Sequence, residues 1–206
     1  MRQHFYLVMS TLFWLVMVVG FSDNWLFDVG QESNSDPVFL THAFFAFAWF
    51  SLLVVQSSLI RTRRIAVHKS LGIAGIAAYA GFFIVTSYIY ISGAITEGAM
   101  SRLGVLNLAF FAFATVLIVH AFLVRHRNSR LHKSNLLVGT FLLMEPGISR
   151  ALGHLAGDES QLYWLLAYIV LFGTFVWYYR RITWQIAAGF LIWLGGTANV
   201  VVGMAQ

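Results

Sequence analysis

RTRRIAVHKSLGIAG, from Arg61 to Gly75, returns 64 residues later as RHRNSRLHKSNLLVG, from Arg125 to Gly139. Both copies obey one rule: arginines at Arg61 and Arg63 or Arg125 and Arg127, then His68-Lys69-Ser70 or His132-Lys133-Ser134, then Gly75 or Gly139. Each copy closes one long apolar run and opens the next. The runs before them match as well, since AFFAFA occupies both 43–48 and 109–114. That second match is offset by 66 residues, so a small change of length separates the halves. Self-similarity of this size indicates a duplicated helical hairpin. It also sets His68 and His132 at equivalent positions on one side of a membrane.

Composition fixes the class. Of 206 residues, 59% are hydrophobic and 10% charged, against the ~25% charged of an ordinary soluble domain. Several apolar runs reach the ~20 residues that a bilayer crossing needs. The loops between them are too short to fold alone, so the expectation is one transmembrane domain over 1–206, with its internal repeat at 38–92 and 103–155. There is no cysteine, which excludes disulfides, thiolate catalysis and cysteine-held iron–sulfur clusters. The net charge of +5 is juxtamembrane and indicates no nucleic-acid partner; the partner it suits is the lipid bilayer.

The pattern predicts an all-α integral membrane protein with seven transmembrane helices, at roughly 5–21, 38–60, 67–92, 103–124, 132–155, 161–179 and 183–203. The first run is read as a retained helix. One set of connections holds Arg61, Arg63, Arg64 and Lys69, then Arg125, Arg127, Arg130 and Lys133, then Arg180 and Arg181, with no acid among them. The other set holds Asp23, Asp28, Glu32, Asp36, Glu97, Asp158 and Glu159 beside a single base, Arg102. The positive-inside rule then puts the N-terminus inside and the C-terminus, Gln206, outside. Both repeat halves start on the outer side. The duplication is therefore parallel, with a pseudo-two-fold axis along the membrane normal and a four-helix core of spans two to five. Pro146 lies within the fifth span and should kink it by removing the hydrogen bond to the Leu142 carbonyl.

At ~100° per residue, His68, Gly72, Gly75, Tyr79, Thr86 and Tyr90 share one face of the third span. The fifth span presents His132, Gly139, Leu143, Pro146, Arg150 and His154. The second presents His42, Trp49 and Gln56, and the fourth Phe113 and His120. Polar faces turn inward because lipid penalises them. His68, His120 and His132 then lie near the inner leaflet, and His42 and His154 near the outer surface. Two readings of the repeated motif stand ahead of a third, a lipid, quinone or metal site. In one, a basic, His-containing helix start sits at the headgroup level and its glycine serves close packing. In the other, His68 and His132 are axial ligands of a haem iron across a diagonal of about 11–14 Å. Gly75 and Gly139 would leave room for the macrocycle, Arg63 and Arg127 would meet its propionates, and His120 is a substitute ligand. Zinc fits less well, because the inner level offers three histidines and no carboxylate. Retinal is excluded, since the only lysines are Lys69 and Lys133.

Glu145 is an acid in mid-span, followed by Pro146 and Gly147. An intramembrane carboxylate marks a functional site by default. With Arg150, His154 and His42 it forms a second candidate site, read either as a proton relay and polar pocket or as a structural pair fixing helix packing.

His42, Gln56, His68-Lys69-Ser70-Leu71-Gly72, Tyr79, His132-Lys133 and Arg150 give residues 38–155 an order of features that resembles a group of uncharacterised bacterial multi-pass membrane proteins. More distantly, the four-helix core is similar to transmembrane b-type cytochromes and ferric-reductase-like domains, which use paired histidines on facing helices. Their two stacked pairs are not reproduced here. The inner and outer histidines of the fifth span, His132 and His154, are 22 residues apart, or roughly 33 Å along a straight helix. With that departure from the resemblance, a single inner haem b, or none, is expected.

The leading expectation is a haem-b-binding redox protein, or the membrane anchor of one, in a bacterial inner membrane. With no soluble catalytic domain, it would exchange electrons with a quinone or a redox partner protein. The alternatives are an accessory or assembly subunit of a larger membrane complex, and a small proton-coupled transporter using Glu145 and Arg150.

Overall fold

The structure is a computed structural model that describes residues 4–98, 100–157 and 160–204. Asp158, Glu159 and Gln206, counted above toward the outer face, lie outside the described residues. The regular elements are helical throughout: α1 (Phe5–Gly20), α2 (Pro37–Arg61), α3 (Ile65–Glu97), α4 (Arg102–Val124), α5 (Ser129–Leu142), α6 (Glu145–Ala156), α7 (Ser160–Tyr179) and α8 (Trp184–Met204). They divide into two units, Met1–Gly98 and Ala99–Gln206. The division falls between the two halves of the sequence repeat.

In the first unit α1 and α3 both pack on α2. The Trp14 indole N–H donates to Ser51 Oγ at 3.0 Å and ties α1 to α2. Between α2 and α3 the Trp49 and Tyr79 rings meet at 4.9 Å. Helix α2 starts where Asp36 accepts the Val38 N–H at 2.7 Å and Pro37 fills the first helical position, a favourable start because proline has no N–H to leave unpaired. The helix stops through paired bonds, Arg64 N–H to the Leu59 carbonyl and Arg63 N–H to Ile60. This is the Schellman arrangement, which needs a left-handed residue. Arg63 is that residue, with φ of 59°.

The second unit holds α4 to α8. Helix α4 packs along α5 and α8, and α6 lies on α7. Its core includes Phe110, Leu117, Ile118, Phe141, Leu142, Tyr168, Phe175 and Ile186, all nearly inaccessible. Here the basic turn is built differently. The Asn128 side chain caps α5 by accepting the Leu131 N–H at 2.9 Å, and Arg127 is not left-handed.

The fifth span expected over 132–155 is two helices bent by 51°. The chain leaves α5 in a tight turn, Leu143 N–H bonding to Thr140 and Met144 N–H to Phe141. It re-enters helical geometry with Ile148 N–H on the Met144 carbonyl. Pro146 thus sits in the first turn of α6, where its missing N–H costs least. The break falls at Leu143–Met144, just before the proline, because the ring must avoid the Leu142 carbonyl.

Among the described residues, four helices are long and apolar enough to cross a membrane: α2, α3, α4 and α7; the α5–α6 pair makes a fifth if it counts as one span. At 16 residues α1 is shorter. Apolar side chains also face outward. Ile73 is 71% exposed, Ile95 78% and Leu123 71%. Outward apolar surface on this scale is what a lipid-facing helix presents and what a soluble surface avoids. These features mark a multi-pass membrane protein.

Candidate functional site

Glu145 opens α6 at the helix break and is 1% exposed. One turn on, the Ser149 hydroxyl donates to its Oε1 at 2.5 Å. The Asn107 amide of α4 and the Trp164 indole of α7 also approach the carboxylate, but the indole N–H does not close a hydrogen bond. Tyr168, one turn beyond Trp164, is completely buried and within electrostatic reach of Glu145. Its ring stands 4.9 Å from Trp164 and 5.7 Å from Trp193 of α8, nearly parallel to the latter. Phe110 and Phe141 close the other sides at 6.1 and 5.4 Å.

Four buried polar atoms in this cluster have no hydrogen-bond partner: Asn107 Oδ1, Trp164 Nε1, Tyr168 Oη and Trp193 Nε1. Such orphans are uncommon in folded proteins, and each costs about 1–3 kcal/mol. Here they gather around one carboxylate. Chemically the group offers two indole donors, a phenol and an amide to a polar guest, and a carboxylate able to carry a proton.

The remaining second-site residues are placed differently. Arg150 and His154, further along α6, are exposed. His42, in the first unit, has Nδ1 3.2 Å from Thr86 Oγ1 and its ring 5.1 Å from Phe82.

The inner histidines each have a distinct setting. His132, in the first turn of α5, places Nδ1 2.9 Å from the Ala121 carbonyl oxygen. Only a protonated nitrogen can make that bond, so in the neutral ring Nε2 carries the lone pair. His120 is the opposite case. Its Nδ1 accepts from Asn135 Nδ2 at 2.7 Å, which leaves the proton on Nε2. Asn135 in turn accepts from Gln185 Nε2 at 2.8 Å, so a polar chain links α4, α5 and α8.

In the first unit His68 lies beside the Gln56 backbone carbonyl. Its Nδ1 is buried without a partner, as are both polar atoms of the Gln56 amide. Gly72 is next to that amide, 4.0 Å from Nε2 to where a Cβ would stand. The two glycines of the repeat have different neighbours. A Cβ on Gly75 would meet nothing within 4 Å, whereas one on Gly139 would stand 2.8 Å from Ile118 Cγ1 and 3.2 Å from the Ala114 carbonyl. Gly139 is therefore a point of close approach between α5 and α4. Arg63 and Arg127 are exposed in their turns. His68 belongs to the first unit and His132 to the second. Among the described residues no three His, Cys, Asp or Glu side chains form a metal-binding group.

Sequence reasoning misses the aromatic half of the Glu145 site. Trp164 and Tyr168 are four apart and so share a helix face, but in a chain with seven tryptophans and eight tyrosines that spacing is no signal. Asn135 is visible only as the residue following the repeated His-Lys-Ser. Comparison with protein-family models, curated proteins and solved structures finds no match to this chain.

Proposed function

We propose that this chain is a small proton-coupled membrane transporter whose exchanging group is Glu145. The observation that carries the reading is the burial of this carboxylate at a broken helix, among polar atoms that lack partners. Interrupted helices at membrane depth are tolerated where they line a binding site. Glu145 would bind and release the proton, Ser149 would orient the carboxylate, and Trp164, Tyr168 and Asn107 would hold a polar guest. Arg150 and His154, exposed further along α6, would offer a polar path from Glu145 toward the outer face. The seven-span topology, with α1 and α8 as added spans, the N-terminus inside and a bacterial inner membrane as host, accompanies this reading. The test is flux in proteoliposomes under an imposed pH gradient. Wild-type protein should acidify or alkalinise the lumen in a substrate-dependent manner, and Glu145→Gln should not. Equal flux from both would end the proposal.

A second reading, haem b ligation with electron transfer to a quinone or redox partner, is favoured by one observation. His132 donates from Nδ1 to a backbone carbonyl, the bond that typically orients a metal-binding Nε2. In the first unit His68, with its buried, unpartnered Nδ1 and the open face at Gly75, would be a ligand independently of His132. The packing at Gly139 argues against a macrocycle lying against that residue. Haem would supply one-electron redox chemistry. A visible spectrum of protein produced with ample haem tests this: a Soret band lost in His132→Ala and kept in His126→Ala supports it, and a colourless protein removes it.

A further inference from the structure

A cavity of about 360 Å³ lies at the basic end of the second unit. That volume falls in the ~300–1,000 Å³ range of small-molecule sites. Its walls are the start of α5, with Asn128, Arg130 and Ser134, and the start of α8, with Arg181, Thr183 and Gln185. Two helix N-termini therefore meet there, each bringing the positive end of a helix dipole. Two arginines add to them. Neither 125–134 nor 179–185 contains an acid.

Two further atoms point to a guest. Gln185 is 2% exposed, and while its Nε2 is spent on Asn135, its Oε1 has no partner. Thr183 Oγ1 is likewise buried without one. A bare anion would satisfy the arginines and leave the Gln185 oxygen unpaired. A phosphate with a hydroxyl on its attached group satisfies both, the phosphate oxygens on the guanidinium groups and the hydroxyl donating to Gln185 Oε1 while accepting from the Thr183 hydroxyl. The cavity also lies just past the end of the apolar α7, at the depth where lipid headgroups sit.

We propose that this cavity binds a hydroxyl-bearing phosphate ester, presented as the headgroup of an anionic glycerophospholipid. The site is separate from Glu145 and does not depend on the transport reading.

The test is lipid binding to the purified full-length chain in detergent, read by native mass spectrometry and by the lipid-induced rise in melting temperature. Phosphatidylglycerol should bind, and phosphatidylcholine should not. Phosphatidylmethanol, of equal charge but without the hydroxyl, should bind about 3–10-fold more weakly, the worth of one hydrogen bond. The double variant Arg130→Gln/Arg181→Gln should lose at least ~10-fold in affinity, and Arg125→Gln, whose guanidinium bonds to the Phe122 carbonyl instead, should keep it. Should the double variant fail to fold, Thr183→Ala serves: it should narrow the gap between phosphatidylglycerol and phosphatidylmethanol. Equal weakening by Arg125→Gln, or phosphatidylcholine binding as well as phosphatidylglycerol, overturns the site in favour of diffuse surface attraction. Free glycerol 3-phosphate separates the sources. Displacement of the lipid at comparable concentration overturns the lipid assignment, and its failure to displace supports it.

Discussion

Asn135 donates from Nδ2 to His120 Nδ1 at 2.7 Å while accepting from Gln185 through Oδ1. One fully buried amide thus fixes a histidine tautomer and joins three helices. Asn135→Leu leaves the Gln185 amide and the His120 ring nitrogen without partners. The expected cost is about 1–3 kcal/mol for each buried group stranded, read as a lower melting temperature in detergent. Nitrogen-15 chemical shifts of His120 should also change from one neutral tautomer to a mixture. An unchanged spectrum would mean that Asn135 does not set the tautomer.

The two repeat glycines predict opposite outcomes for one substitution. Gly139→Ala drives a methyl group against Ile118 Cγ1 and the Ala114 carbonyl, and Ile118 is itself completely buried. Overpacking of this kind costs about 1–3 kcal/mol. Gly75→Ala meets no neighbour, so the gain in helix propensity, about 0.5–1 kcal/mol, should dominate. Thermal unfolding of both variants checks the sign. If Gly75→Ala instead lowers the haem occupancy of protein produced with haem, the open face at Gly75 holds the ring.

These glycines also mark where sequence reading stops. The repeated motif locates both, and the apolar runs locate the helices that carry them. What lies opposite each glycine depends on which side chain the neighbouring helix brings, and Ile118 lies 21 residues away in the chain. Glu145 stands out in the sequence because the other acids all lie in the connections, and Pro146 marks a bend near it. The break at Leu143–Met144 is less legible, since it depends on a tight turn that forms upstream of the proline. Trp164, Tyr168 and Trp193 are hidden among many aromatic residues, because lipid-facing and site-facing rings look alike in sequence.

The helix break yields its own prediction. Pro146→Ala restores an N–H that can bond to the Leu142 carbonyl and removes the ring that avoids it. Helices α5 and α6 should then straighten from their 51° bend. Spin labels at exposed Arg130 and His154 should move apart, as measured by pulsed electron resonance. Under the transport reading the same variant should also lose flux, because the break holds Glu145 in the aromatic cluster. A straightened helix with full flux would separate the bend from the function.

Arg63 occupies a left-handed position, φ 59°, that glycine takes without strain. Arg63→Gly should therefore raise the melting temperature slightly, by an amount equivalent to about 1 kcal/mol. It also removes one of the basic groups of the first turn. A fall in stability would show that the guanidinium contributes more than the backbone strain costs.

The unpartnered hydroxyl of Tyr168 separates a functional cluster from a merely structural one. The ring is completely buried and touches Trp164, Trp193, Phe110 and Phe141, so Tyr168→Phe keeps every apolar contact. It deletes only an oxygen that has no hydrogen-bond partner. Burying such a group costs about 1–3 kcal/mol, and the variant should be more stable by up to that amount. If the hydroxyl serves a guest beside Glu145, the same change should lower substrate-dependent flux while leaving the fold intact, the usual trade between stability and activity at a built site. Trp164→Phe should behave in the same direction, with some loss of packing because the ring is smaller. Unfolding curves and flux assays on one preparation decide the matter. A destabilised Tyr168→Phe would mean that the hydroxyl is already satisfied, and the argument from orphaned donors would lose its strongest member.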